Sequence, residues 1–406
     1  MARSVVRERE FLRLWVGTTA SGLATWALPF VLGLAVLHGD LGAVGLGIVL
    51  ATRTVGFLAA VPLAGVLADR YSRRAVVLWS GLAAAAASPL IALGVGRSVG
   101  LMAVAAVVVG AGQGACRPAF QALTAEVVDP DRRQQANAAI TIAVRCSVLL
   151  GPALSALLAG VLGVPALLLG IGLFWLVAAL VPPRGGGVPV PASGASIVGE
   201  FAEGWREACR HPWFLAGLGA LTAVIATGYS ATAVALPLVA RDRYGSEAVL
   251  ALATTGYTVG ALLGALLIAR WRPRAQGWAA LAGLAVYAVA PLCLLLPVHP
   301  AVLVLAYVAT GVGIELFNVP WFTATQREVD PRLLARVSSL DFLLSYGLAP
   351  LGLALIAPAI SVFGLGSTLA ACALVCLLAP AAAALAPGAR TFSVRRIRMT
   401  NGPFVG

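Results

Sequence analysis

Twelve apolar stretches, each long enough to cross a lipid bilayer, follow one another along this chain of 406 residues. A spanning helix needs about 20 mostly apolar residues, and the chain is 60% hydrophobic and only 11% charged. Backbone polar groups cannot stay unpaired in lipid, and these stretches are too long and too evenly apolar for barrel strands. The predicted fold class is therefore an all-α membrane protein with twelve transmembrane helices.

The apolar stretches fall into two groups of six. The predicted spans are 11–38, 43–69, 74–95, 99–127, 135–162, 164–182, 212–240, 247–269, 276–297, 300–326, 334–360 and 363–386. A Pro- and Gly-rich linker follows the sixth span, and little chain remains for a soluble catalytic domain. We predict an N-terminal six-helix bundle in residues 1–182, a cytoplasmic linker in 183–211, a C-terminal six-helix bundle in 212–386 and a cytoplasmic tail in 387–406.

Arginine marks alternate connections between the spans. All 28 cationic residues are Arg; 22 lie in the tails, the linker and one alternating set of loops, and the other set holds Arg97, Arg241 and Arg243. Because short cytoplasmic loops are enriched in Lys and Arg, both termini are predicted to be cytoplasmic. The net charge of +12 follows from this topology and from anionic lipid, and it does not indicate a nucleic-acid partner. The Arg-only, Ala- and Gly-rich composition is typical of a GC-rich genome, which predicts the cytoplasmic membrane of a bacterial cell.

A sequence repeat relates the two halves. Phe120–Pro130 and Phe322–Pro331 match at an offset of 201 to 202 residues, about half the chain length. Gly110 and Gly112 pair with Gly311 and Gly313 at the same offset. The repeat predicts two parallel six-helix units related by an axis along the membrane normal, an arrangement that serves alternating access around a midplane site. The Gly-rich run in the fourth span is predicted to serve close helix packing, because no strand precedes it as a nucleotide loop would require.

A charged motif lies between spans 2 and 3. Gly65, Asp69, Arg70, Arg73 and Arg74 follow the pattern Gly-x-x-x-Asp-Arg-x-x-Arg-Arg. Over residues 11 to 386 the chain resembles the major facilitator superfamily, whose signature this is, and the resemblance implies the major facilitator fold.

Two further runs narrow the resemblance. Residues 117–122 and 336–341 are similar to segments of bacterial drug-efflux and siderophore-exporter members. The second-half copy of the signature is degraded, since Ala269 stands where Asp69 stands in the first half. A symmetric role of the second loop is therefore not implied.

The resemblance implies a secondary active transporter that works by alternating access, with proton antiport and export. The chain has no Lys and hence no nucleotide-binding motif of the Gly-Lys-Ser/Thr type, so ATP is not the expected energy source. We expect an amphipathic small organic substrate such as a drug, antibiotic or siderophore, protons as coupling ion, a monomer in the lipid bilayer, and no cofactor or metal. The alternatives are an uptake permease or a substrate sensor of the same fold. An intramembrane enzyme is disfavoured because no span holds a His deep inside it.

The signature has a mechanical interpretation. A carboxylate at Asp69 can face the positive N-terminal end of a neighbouring helix, which in the family is the eleventh. The following arginines can pair with Glu126 or Asp129, which makes a latch that exists only when the inner ends of the halves meet. The alternative is that these arginines are ordinary positive-inside charges.

Few ionisable residues lie deep within the spans, where a charge costs about 2.5 to 3.5 kcal/mol even on the mildest scale. They are Arg53, Arg117, Arg145, Glu315 and Asp341. Glu315 has two interpretations, a protonatable coupling residue or a static buried partner of Arg117 or Arg145 that ties the halves together. A structural role is preferred for Asp341. For Arg53, a pair with Asp40 is preferred to contact with an anionic substrate.

Aromatic and amide residues on the presumed inner helices suit an amphipathic ligand, because aromatic faces bind apolar groups and sparse polar groups orient them. The candidate cavity residues are Trp26, Gln113, Phe120, Tyr229, Tyr257, Phe317, Asn318, Trp321 and Tyr346. The alternative for each of them is ordinary helix packing.

Overall fold

The apolar stretches of the first half become six long helices in the computed structural model. The structure describes residues 5–185, 197–347 and 349–393, without the side chains of residues 43, 69, 70, 197, 198, 200, 247, 346 and 350. The helices of the first half are α1 Arg9–Leu37, α2 Ala43–Arg70, α3 Arg73–Gly94, α4 Val99–Val127, α5 Arg133–Ala159 and α6 Val164–Leu180. Polar caps fix two of the starts, since Ser72 accepts a hydrogen bond from the Ala75 amide at 2.9 Å and Ser98 accepts one from Leu101 at 3.2 Å.

The second half begins with a helix inside the predicted linker, α7 Ile197–Cys209, which the apolar pattern did not predict. It is short and amphipathic, so it contains no long apolar run. The remaining helices are α8 Pro212–Val224, α9 Ser230–Asp242, α10 Glu247–Arg270, α11 Gln276–Ala285, α12 Val289–Leu295, α13 Pro300–Glu328, α14 Leu334–Gly347, α15 Ala349–Phe363 and α16 Leu365–Ala384.

Some predicted spans are built from two helices each. A π-helical turn, Ile225–Tyr229, joins α8 to α9, and a 3-10 turn, Val286–Ala288, joins α11 to α12. In the described part, ten helical segments are long and apolar enough to cross a membrane, and two shorter apolar helices lie at 164–180 and 351–363. The predicted all-helical architecture with twelve spans is confirmed, and the chain is a multi-pass membrane protein.

The packing of the helices repeats in the two halves. In the first half α4 packs on α2 and α3, while α6 packs on α1 and α3; in the second half α13 packs on α10 and α11, while α16 packs on α8 and α11. The matched glycines explain the likeness. A side chain at Gly110 or Gly311 would strike the backbone of α2 or α10, and one at Gly112 or Gly313 would strike the backbone of α3 or α11. These positions therefore allow close helix packing, as predicted.

The two halves meet at one end of the bundle, which we name the Arg-rich end: there α2, α4, α10 and α13 end and α3, α5 and α14 begin. Helix α2 packs on α14, and α5 packs on α10 and α13. A Cβ atom at Gly65 would lie 2.6 Å from the Ser339 hydroxyl and 2.8 Å from the Ala335 carbonyl oxygen. Glycine in the signature thus allows α2 and α14 to approach closely.

The halves separate toward the opposite end. The row of α2 that contains Gly65 and Leu58 faces α14, since Leu58 lies against Gly347. The same row continues through Val55, Ile48 and Val44, and all three are exposed. Residues three or four positions apart lie on the same face of a helix. This face of α2 therefore contacts α14 near the Arg-rich end but not near the start of α2. The space between the halves is closed at the Arg-rich end and widens toward the other.

Candidate functional site

A cavity of about 190 Å³ lies between the halves, beyond the closed Arg-rich end. Its wall comes mainly from α1, α4 and α5 of the first half, together with Glu315, Asn318 and Phe322 of α13 and Phe342 of α14. The first-half residues that line it include Thr18, Ser21, Thr25, Trp26, Gln113, Arg117, Phe120, Gln121, Thr124, Asn137, Thr141 and Arg145. The site is therefore asymmetric, with most of its polar groups on one half.

An ion pair crosses the cavity wall from one half to the other. Arg145 Nε of α5 donates to Glu315 Oε1 of α13 at 2.7 Å, and Arg145 Nη2 contacts the same oxygen. Asn318 Nδ2 donates to the other carboxylate oxygen at 3.5 Å, and the Arg145 guanidinium lies over the Tyr257 ring at 5.7 Å. Glu315 is 1% exposed, whereas 20% of the Arg145 side chain is exposed. Of the two partners that the sequence left open for Glu315, the structure selects Arg145.

Arg53 does not pair with Asp40, so that preferred assignment was wrong. Its Nη2 atom donates to Gln113 Oε1 at 2.6 Å and to the Thr25 carbonyl oxygen at 3.1 Å. Asp40 lies in the turn before α2, whereas Arg53 lies ten residues into that helix, about 15 Å further along its axis. Arg53 therefore reaches between α1 and α4, beside the cavity.

Arg117 lines the cavity one helical turn beyond Gln113 on α4. Its guanidinium carbon lies 5.8 Å from the centre of the Phe57 ring, within range of a cation–π interaction. Arg53 and Arg117 thus flank Gln113, and the charge of Arg117 repels that of Arg53. This side of the cavity carries positive charge.

The structure divides the nine candidate cavity residues. Those that line the cavity are Trp26, Gln113, Phe120 and Asn318. Tyr257 lies next to it under Arg145, and Tyr229 is 45% exposed on the π-helical turn and is not among the described lining residues. The side chain of Tyr346 lies outside the described residues.

Phe317 and Trp321 were assigned to the cavity, but they are not among its described lining residues, and both are fully buried elsewhere. On α13 the cavity face runs through Glu315, Asn318 and Phe322, and residues 317 and 321 share a different face of the same helix. There they belong to an aromatic cluster. Its rings are Trp213, Phe214, Phe317, Trp321 and Phe392, and the Phe214 and Trp321 rings stack with centres 4.9 Å apart.

Asp341 belongs to this cluster and not to the described cavity wall. Its carboxylate accepts hydrogen bonds from Trp321 Nε1 at 3.2 Å and from the Ser345 hydroxyl at 3.1 Å. Phe392 of the tail is 1% exposed and stacks on Trp213 at 5.3 Å. The preferred structural role of Asp341 agrees with this geometry, since it joins α13 to α14 within the second half.

Among the described side chains of the signature loop, Arg73 contacts the other half. Arg73 Nη1 donates to Glu126 Oε1 at 2.6 Å, and Arg73 Nη2 contacts the carbonyl oxygen of Pro331 in the loop before α14. Arg74 instead donates to the Leu180 carbonyl oxygen at 3.2 Å and stays within the first half. Of the two predicted acidic partners, Glu126 pairs with Arg73. The side chains of Asp69 and Arg70 lie outside the described residues.

Asp129 has a different position from Glu126. It precedes the 3-10 turn Pro130–Arg132, forms no side-chain cap there, and acts electrostatically on Arg133. Arg133 donates to the Gln326 carbonyl oxygen across the halves at 2.7 Å. The acid is thus part of the loop that meets α13, whereas Glu126 forms an ion pair with Arg73.

The second half makes a matching contact with the first half, although its copy of the signature is degraded. Arg272 Nη2, after α10, donates to the Asp131 carbonyl oxygen in the loop before α5 at 2.9 Å. Arg73 and Pro331 make the equivalent contact with the halves exchanged. Because a backbone carbonyl is the acceptor in both cases, loss of the acid at Ala269 does not remove this contact.

Two features of the Arg-rich end had no clear sequence signal. Asn137 Nδ2 donates across the halves to Thr323 Oγ1 at 2.9 Å and to Gln326 Oε1 at 3.0 Å. Helix α7 lies against α2 and α14, and Glu203 pairs with Arg336 at 2.7 Å. By contrast, the row Thr18, Ser21 and Thr25 on α1 was detectable, because polar residues at that spacing share one face of an apolar helix.

Among the described residues, no group of three or more His, Cys, Asp or Glu side chains is close enough to hold a metal ion. Neither the cavity nor the Arg-rich end offers such a group. The polar groups of the described cavity wall are guanidinium, carboxyl, amide, hydroxyl and thiol groups.

Comparisons with known proteins agree with this architecture. The family model described as Major Facilitator Superfamily matches residues 14–339. The crystal structure of the human organic anion transporter MFSD10 (TETRAN) aligns with a TM-score of 0.72 and 18% identity, over 92% of this chain and 99% of the other. That of a bacterial homologue of the iron transporter ferroportin, in an outward-facing state, aligns with a TM-score of 0.71 and 17% identity, over 93% and 98%. At these identities the likeness shows the fold alone. No curated protein sequence matches the chain.

Proposed function

Because the chain belongs to the Major Facilitator Superfamily, a family of secondary transporters and not of enzymes, we propose that it exports an amphipathic small organic molecule in exchange for protons. The Arg asymmetry supports an orientation with the Arg-rich end in the cytoplasm of a bacterial cell. In that orientation the cavity opens to the outside. The protein acts as a monomer, and during transport one end of the bundle closes while the other opens.

The observation that carries the proposal is the ion pair between Arg145 and Glu315. It joins the halves, it lies in the wall of the cavity, and its acid is buried. A carboxylate can be neutralised by one proton, whereas a guanidinium stays charged. Protonation of Glu315 therefore removes the attraction between α5 and α13. The proton and the movement of the halves are linked at the place where the substrate binds.

The alternative static role has a different energetic signature. Removing one charge of a fully buried pair costs about 3 to 5 kcal/mol, because the remaining charge loses its partner. Arg145 is partly exposed to the cavity, so this figure is an upper limit here. A purely structural pair predicts loss of stability in a Glu315 variant, whereas a coupling pair predicts loss of coupling.

The test is gradient-driven accumulation in everted membrane vesicles. A panel of labelled amphipathic compounds, anionic, neutral and cationic, is offered with an imposed pH gradient and with a protonophore control. We expect the wild type to accumulate at least one compound only while the gradient persists. Glu315→Gln keeps binding that compound and melts within a few degrees of wild type, but accumulates none. Glu315→Asp retains part of the accumulation with a shifted pH optimum. Normal gradient-driven accumulation by a well-folded Gln variant would contradict coupling at Glu315.

One observation favours a second candidate, proton-coupled uptake. When Glu315 is protonated, Arg145 becomes available to an anionic group, so a proton and an anion strengthen each other's binding. Ligands that bind together move together, and an inward proton gradient then drives import. Accumulation of an anion by right-side-out vesicles, and not by everted ones, would select this candidate.

A further inference from the structure

Positive charge exceeds negative charge in the cavity wall. Arg117 and Arg145 line it, and Glu315 is the one acidic residue among the described lining residues. Arg145 and Glu315 neutralise each other through their ion pair. Arg53 adds a further cation, since it binds Thr25 and Gln113, which both line the cavity. The site therefore carries net positive charge on its first-half side.

The surplus charge is concentrated on one wall. Arg53 reaches Gln113 from α2, and Arg117 follows Gln113 by one turn of α4, so the two arginines belong to the same part of the cavity wall. Arg117 repels Arg53 electrostatically. The buried Nε atom of Arg53 has no hydrogen-bond partner among the described residues. Two neighbouring cations in a membrane interior repel each other, and an anion bound at their cavity side stabilises both.

Beside its hydroxyl and amide groups, the cavity has aromatic faces on both halves. Trp26 and Phe120 line it from the first half, Phe322 and Phe342 from the second. Flat aromatic faces bind an apolar body, and a few fixed polar groups orient it. A small inorganic anion leaves these faces unused, whereas an amphipathic anion uses both parts of the cavity.

We propose that Arg117, with Arg53 and Gln113 behind it, binds the carboxylate or sulfonate of an amphipathic organic anion whose apolar body lies against Trp26, Phe120 and Phe322. The assignment names the substrate class of the transport site proposed above and rests on that function. Guanidinium groups suit carboxylate and sulfonate oxygens, because their donors are planar, fixed and always charged.

The test measures binding of three probes with one skeleton to the full-length protein in detergent, by calorimetry and without a gradient. Naphthylacetate is anionic, naphthylacetamide is neutral, and naphthylethylamine is cationic. We expect naphthylacetate to bind about tenfold more tightly than the amide, the usual advantage of a charge-assisted hydrogen bond. The amine is expected to bind most weakly, because it meets a like charge.

Variants separate recognition from folding. Arg117→Gln should reduce the preference for naphthylacetate over the amide to less than about threefold while the affinity for the amide stays unchanged, and Arg53→Gln should lower the preference by less. The control is Arg97→Gln, an exposed arginine in the turn at the opposite end of the bundle, which should keep the full preference. Equal binding of acid and amide by the wild type, no binding of any probe, or equal weakening of both probes in Arg117→Gln would overturn the proposal.

The two proposals fail separately. If naphthylacetate is preferred but no compound responds to the pH gradient, proton-coupled transport is wrong and the anion site stands. If gradient-driven transport occurs and the amide or the amine is preferred, the anion site is wrong and the transport function stands.

Discussion

At the Arg-rich end, arginine side chains of one half donate to backbone carbonyl oxygens of the other, whereas in the cavity wall an arginine of one half meets a carboxylate of the other. Arg73 and Arg272 make the first kind of contact, with the Pro331 and Asp131 carbonyls. Arg145 and Glu315 make the second. A carbonyl oxygen does not take a proton in the physiological range, and a carboxylate does.

The difference assigns separate tasks to the two levels. The contacts at the Arg-rich end are numerous and depend on shape, since α2 and α14 touch through Gly65. The acceptors of Arg73 and Arg272 are carbonyl oxygens, which do not themselves respond to a proton. The pair in the cavity wall, by contrast, depends on charge. We therefore expect substitutions at the Arg-rich end to change the population of the closed state. Substitutions at the pair should instead change how that population depends on proton binding.

The largest effect is expected from a side chain at Gly65. In Gly65→Leu the added atoms meet the backbone of α14, and overpacking of this kind costs about 1 to 3 kcal/mol. The closed state should fall in population by roughly 5- to 150-fold, and transport with it. The control is Gly47→Leu on the same helix, where a Cβ would meet nothing within 4 Å. Spin labels at the exposed positions 131 and 332 report the distance between the halves at the Arg-rich end. An unchanged short distance in Gly65→Leu would show that closure of this end does not depend on the close approach of α2 to α14.

A smaller effect is expected from Arg73→Gln. The variant loses the hydrogen bond to Pro331 and the ion pair with Glu126, but the packing of α2 on α14 remains. One hydrogen bond contributes about 1 kcal/mol, which is roughly a fivefold shift toward the state with the Arg-rich end open. Arg74→Gln is the matched control, because Arg74 contacts its own half. Equal shifts of the label distance in the two variants would mean that the contact with Pro331 is not a latch.

The smallest effect is expected from Glu203→Gln on α7. Its partner Arg336 lies at the start of α14, but Glu203 is 40% exposed, and such pairs contribute about 0 to 1 kcal/mol. The population of the closed state, read from the label distance, should change by less than about fivefold, and the change should vanish at high salt. Asp242→Asn, in an exposed pair with Arg241 at the end of α9, is the control, because that pair lies at the opposite end of the bundle. A shift as large as that of Gly65→Leu would make α7 a principal element of closure.

Much of the fold was predictable because its causes are local. Span length, positive charge on alternate loops and the cost of buried charge act on short segments, so the helices, the repeat and the intramembrane charges followed from them. The matched glycines were predictable for the same reason, since each lies where one helix touches another.

The choice of partners was not predictable, because it depends on the rotation of each helix about its axis. Glu315 had two candidate arginines, and only the placement of α5 against α13 selects Arg145. The same rotation turns Phe317 and Trp321 away from the cavity and takes Arg53 to Gln113. Helix α7 and the burial of Phe392 depend on tertiary packing between distant segments.

The central claim is that the proton is exchanged at Glu315 when substrate binds. Its most direct test is the number of protons taken up or released on binding, measured in weakly buffered detergent solution with a pH indicator and no membrane gradient. With naphthylacetate as ligand, the proposed exchange predicts proton release by the wild type, because a substrate and a proton that move in opposite directions exclude each other's binding, whereas proton uptake would select the uptake candidate. It predicts no exchange by Glu315→Gln with the same ligand bound. Binding without exchange in the wild type, or the same exchange in the variant, would contradict the claim.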